Sequence, residues 1–72
     1  MKLTYFFNYL KDTMVEINWI DEETNSYMSL FTKPVYFYRT VPYEILCLDM
    51  TKFEFNIDKE DRHLVIKQKR KK

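Results

Sequence analysis

The sequence predicts an all-β fold, a small antiparallel sheet or an SH3- or OB-like barrel of five to seven strands. Three observations lead there. Aromatic residues make up 18% of the chain and cluster in runs such as Tyr5-Phe6-Phe7 and Tyr36-Phe37-Tyr38. Aromatic and β-branched side chains suit a pleated, half-buried surface. Two stretches, Val15-Glu16-Ile17-Asn18-Trp19 and Phe53-Glu54-Phe55-Asn56-Ile57, alternate apolar and polar residues with the period of a strand that has one wet face. Glycine is absent, so two-residue hairpin turns of the Asn-Gly kind are excluded, and the turns are expected to be longer and built on type I geometry.

The elements follow in order. Residues 3–10 read as a strand apolar on both faces, with Leu3, Tyr5, Phe7 and Tyr9 on one side and Phe6 and Leu10 on the other. Lys11-Asp12-Thr13 reads as a tight turn into a strand over 14–20, which directs Val15, Ile17 and Trp19 to one side; the two strands form a hairpin. Asp21 to Ser26 is a polar loop, and 27–31 is a short strand. Pro34 lacks the amide proton a central ladder needs and marks an edge, a bulge or a strand start before extended structure over 35–39. Residues 41–50 read as a strand, with an α+β alternative in which Thr40 caps and Pro42 opens one short helix. Residues 52–58 and 63–68 form a second hairpin across a charged turn, with Phe53, Phe55, Ile57, Leu64 and Ile66 inward.

The domain is expected to span 1–68, followed by a basic, flexible tail over 69–72. Net charge is +1, but its distribution is uneven. Residues 67–72 hold five of the twelve basic residues, leaving seven against eleven acids, a net of −4 over 1–66. One cysteine, Cys47, admits no internal disulfide and fits a reducing cytoplasm. The apolar runs are far shorter than the ~20 residues that span a bilayer, and no signal peptide is evident, so neither a membrane nor secretion is expected.

Few residues carry the pattern of a chemical site. Phosphate-cradling loops and the nucleophile elbow require glycine. His63, the lone histidine, reads as a solvated or hydrogen-bonded surface residue, and Cys47, within Ile45-Leu46-Cys47-Leu48, reads as a small buried hydrophobe. The acidic clusters Asp21-Glu22-Glu23 and Asp58, Glu60, Asp61 read as solvated turns, since a calcium loop of the EF-hand kind needs glycine. No enzyme activity, cofactor, metal or small-molecule substrate is therefore expected.

Two binding readings remain. In the first, a non-enzymatic accessory protein occupies a partner's surface or pairs with itself; Asp21, Glu22, Glu23, Tyr27, Asp58, Glu60 and Asp61 are the expected protein contacts, since acidic loops complement a basic partner. A glycine-free chain biased to Asn, Lys and Tyr also has the composition of an AT-rich bacterial, phage or plasmid genome. In the alternative, a barrel binds single-stranded nucleic acid: Tyr5, Tyr36 and Tyr38 stack bases while Lys67, Lys69, Arg70, Lys71 and Lys72 hold phosphates. The acidic body weighs against it, because a nucleic-acid module is basic across a face rather than at one end. Terminal lysines also keep an aromatic-rich chain soluble and guard an edge strand.

Overall fold

The computed structural model describes residues 1–70. Four strands, β1 (Val15–Asp21), β2 (Ser26–Thr32), β3 (Phe53–Asp58) and β4 (His63–Gln68), form one sheet in the order β2-β1-β4-β3. Both hairpins, β1–β2 and β3–β4, are antiparallel, but β1 and β4 run parallel at the centre, with Val15 opposite Leu64 and Ile17 opposite Ile66. Parallel neighbours require a crossover. Residues 33–52 supply it and hold two 3-10 turns (Pro34–Tyr36 and Met50–Lys52) and two one-turn helices, α2 (Phe37–Thr40) and α3 (Tyr43–Leu46). A longer helix, α1 (Leu3–Leu10), precedes the sheet.

The expected barrel of five to seven strands is therefore corrected to a four-stranded mixed sheet with short helices. A sheet must bury one face. Here the helices do so, and closure is not needed. Leu3 and Phe7 of α1, Phe37 of α2 and Leu46 of α3 join Val15, Ile17, Trp19, Phe53 and Ile66 in one buried cluster. Among the described residues the opposite face carries no helix; Ser29, Phe31, Glu54, Asn56 and Lys67 are exposed on it, and His63 is buried there against Phe31.

Residues 3–10 are helical, not extended, so the hairpin expected between 3–10 and 14–20 does not form. Leu3, Phe6, Phe7 and Leu10 lie three and four apart and share one helical face. Leu3 and Phe7 are buried, Phe6 and Leu10 are partly buried, and Tyr5 and Tyr9 face out. The Phe6 ring meets Phe55 of β3 edge-on, 5.4 Å between centroids, and Phe7 meets Phe37 at 5.1 Å. Each such pair contributes roughly 0.5–1.5 kcal/mol beyond its buried area.

The crossover also departs from expectation. Pro34 ends β2 and opens a 3-10 turn, where its missing amide proton costs nothing, so 35–39 coils rather than extends. Within 41–50 the short-helix alternative holds over Tyr43–Leu46. It is entered from Pro42, which has no side-chain cap, rather than from Thr40. Thr40 Oγ1 instead donates back to the Tyr36 carbonyl at 3.1 Å.

The strand pattern of β1, β3 and β4 matches the alternation in the sequence, with Val15, Ile17 and Trp19 all buried. Ile57 lies on the inward row but beyond the helices and is exposed. Both hairpins close by one device. Asp21 Oδ1 accepts from the Glu23 amide at 3.1 Å, and Asp58 Oδ1 from the Glu60 amide at 3.0 Å. The last loop residue, Asn25 or Arg62, then takes a positive φ, 53° or 54°. Asparagine does this at modest cost; arginine stands where glycine would be easier.

Candidate functional site

A groove of about 610 Å³ opens at the end of the buried row of β1, between the sheet and the crossover helices. Alternation along β1 brings Trp19 to its floor, and the register of the first hairpin places Met28 opposite Trp19. Pro42, which separates α2 from α3, and Ile45 form the far wall. Asp21, Glu22 and Glu44 supply carboxylates to the lining, and none of the lining residues is basic. Asp21 is held in the turn by the Glu23 amide and by the Thr24 hydroxyl at 3.3 Å, whereas Glu22 and Glu44 are exposed. Trp19 is 8% exposed, so the groove offers an aromatic edge under a negative rim. Such a site suits an apolar side chain that ends in a positive charge.

The expected protein contacts are only partly brought together. Asp21 and Glu22 line the groove, and Glu23 is exposed in the same turn. Asp58, Glu60 and Asp61 lie at the opposite end of the sheet, because β4 runs parallel to β1 and the turn that feeds it sits beside Val15. Tyr27 is half-buried. Its hydroxyl donates to the Gln68 carbonyl at 3.1 Å, Lys67 Nζ lies 4.6 Å from its ring centre, and Arg70 lies at 4.5 Å.

The expected nucleic-acid contacts are separated by the sheet. Tyr5, Tyr36 and Tyr38 are exposed on the helical layer, where Tyr38 borders a smaller groove of about 300 Å³ with Phe7, Pro34 and Val35. Lys67 projects from the open face, and its partner aromatic there is Tyr27. Lys69 donates its amide to the Lys52 carbonyl, and Arg70 Nη1 donates to Asn25. Lys71 and Lys72 lie outside the described residues.

His63 is buried, 8% exposed, rather than solvated. It starts β4 opposite Asp58, and the Phe31 ring packs against it at 4.7 Å between centroids. Among the described residues, Asp58, Asp61 and His63 form the one group of three side chains whose ligand atoms, all within 4.8 Å of each other, could hold a metal ion. The sequence carried a local signal for it in the spacing Asp58-x-x-Asp61-x-His63, which a four-residue loop gathers to one place. No such signal existed for the groove, whose Trp19, Met28 and Glu44 come from three separate segments. Cys47 is partly buried, and its thiol beside Tyr43 pushes the Tyr43 phenol above its ordinary pKa.

No helix among the described residues is long and apolar enough to cross a membrane. The chain matches no protein-family model, no curated protein and no solved structure.

Proposed function

We propose that the protein is a small non-enzymatic binding protein of the cytoplasm whose groove takes a basic segment of a protein partner. The observation that carries this reading is the groove's composition, an apolar lining at Trp19, Met28 and Ile45 beside Asp21, Glu22 and Glu44, with no compensating cation in the lining. Carboxylates on the rim beside an aromatic ring select a lysine or arginine side chain by charge, and the apolar walls hold its methylene stem. The nucleic-acid alternative finds less support, since its aromatics and its described cations sit on opposite sides of the sheet.

Trp19 is the single tryptophan, so its emission reports the groove directly. The test titrates the chain with a synthetic peptide of alternating lysine and leucine, with its glutamate-leucine counterpart, and with an oligothymidylate. The lysine peptide is expected to shift Trp19 emission and the glutamate peptide is not. A Glu22→Gln/Glu44→Gln double variant should bind the lysine peptide about tenfold more weakly, equivalent to about 1.4 kcal/mol. An unresponsive Trp19, or a double variant that binds as well as the parent, overturns the proposal. Oligothymidylate binding that depends on Lys67 and Arg70, with no peptide response, replaces it with the nucleic-acid reading.

A further inference from the structure

The geometry points to a divalent metal site, zinc foremost, formed by Asp58, Asp61 and His63 at the β3–β4 turn. It lies at the opposite end of β1 from the groove and rests on separate observations.

The first is the histidine. His63 is 92% buried, and among the described residues neither ring nitrogen has a hydrogen-bond partner. Buried polar atoms in folded proteins are almost always satisfied, and each exception calls for a partner. The second is what faces it. Carboxylate oxygens of Asp58 and Asp61 and a ring nitrogen of His63 all lie within 4.8 Å of one another. Around zinc, with bonds of about 2.1 Å, tetrahedral donors sit about 3.4 Å apart. The three groups therefore need to close by at most about 1.4 Å, a movement within the reach of the exposed Asp61 side chain.

The neighbouring groups agree with this use. Asp58 Oδ1 is engaged by the amides of Glu60 and Asp61, at 3.0 and 3.2 Å, which fixes the carboxylate and leaves Oδ2 for a ligand. Glu16 Oε1 lies 3.8 Å from His63 Nε2, while Glu16 Oε2 accepts from Asn18 Nδ2 at 2.9 Å. With Nδ1 on the metal, Nε2 would turn to this carboxylate, the arrangement that fixes the tautomer and strengthens the ligand. The Phe31 ring packs on the imidazole. An imidazole among the donors favours zinc over calcium or magnesium, which prefer all-oxygen sites. The bound ion would pin the ends of β3 and β4.

The test is isothermal titration of the untagged chain with zinc chloride, with cobalt(II) absorption as a second readout. One equivalent is expected to bind saturably, to raise the melting temperature, and to be removed by a chelator. Asp61→Asn and Asp58→Asn should each weaken binding at least tenfold. At position 58 asparagine keeps the Oδ1 acceptor that closes the turn, and at position 61 only the backbone amide takes part in it, so folding is preserved in both variants. Cys47→Ala should bind as the parent does. His63→Gln should abolish binding, and the exposed Asp61 position decides the matter if that buried variant does not fold. Absence of a saturable equivalent, or affinity within twofold of the parent in both aspartate variants, overturns the inference.

Discussion

The Arg70 guanidinium lies 4.5 Å from the centre of the Tyr27 ring, and its Nη1 donates to the Asn25 carbonyl at 3.0 Å and to Asn25 Oδ1 at 3.1 Å. One side chain thus joins the segment after β4 to both the edge strand β2 and the turn before it. Arg70→Ala is expected to cost about 1 kcal/mol in urea unfolding, and Arg70→Lys nearly as much, because an ammonium cannot reproduce the guanidinium's several fixed donors. A double-mutant cycle with Tyr27→Leu should return a coupling of roughly 0.5–1 kcal/mol. Additive effects would show that the stacking contributes nothing.

Helix α1 yields a sharp contrast between residues two apart. Phe7 is buried against Phe37, and Tyr5 is exposed. Phe7→Ala should destabilise by about 3–5 kcal/mol. Tyr5→Ala should stay within about 0.5 kcal/mol. Equal losses at both positions, measured by thermal or urea unfolding, would mean that the two side chains share a face, as they would in a strand.

Among the described residues, three hold a positive φ: Lys11 at 41°, Asn25 at 53° and Arg62 at 54°. Replacing Lys11 or Arg62 with glycine should stabilise the fold by about 1 kcal/mol, since the Cβ strain relieved exceeds the entropy added to the unfolded chain. Asn25→Gly should gain nothing, because asparagine tolerates this conformation and its Oδ1 accepts from Arg70. Melting temperatures of the three variants check the order.

The Asp49 carboxylate accepts the Met1 ammonium at 2.8 Å and the Thr51 amide at 3.0 Å. The ammonium first and the Thr51 amide second hold its pKa well below the usual carboxylate range. A depressed acid stabilises the fold above its unfolded pKa of about 3.9, and that contribution is lost as pH falls towards the folded value. Asp49→Asn should therefore be less stable than the parent at neutral pH, and the two should converge in strong acid. Parallel acid-unfolding curves for the two proteins would contradict this linkage.

Much of the sheet was legible in the residues alone. Val15, Ile17 and Trp19 announce a strand with one buried side because only a period of two puts all three inward, and the same logic marks Phe53 and Phe55. The polar loops 22–25 and 59–62 follow from charge and from the asparates that begin them. The segment Leu3 to Leu10 was not legible, because Leu3 and Phe7 fit both a two-residue and a four-residue period. The tie is broken by partners far along the chain, Phe37 and Phe55, which leave room for one helical face and none for a fifth strand.

Local pattern could not specify how the two hairpins meet. Alternation fixes which side of each strand faces the core, but the parallel contact of β1 with β4 depends on where the crossover over 33–52 delivers β3, and no side chain in either strand encodes that delivery. That single contact sends the two acidic turns to opposite ends of the sheet. The crossover that makes it carries Glu44 and Ile45 to Trp19, and Phe31 from the far edge lies against His63. Residue type set the strands and their inward rows; the burial of His63 and the assembly of the groove were settled by which elements the packed core left side by side.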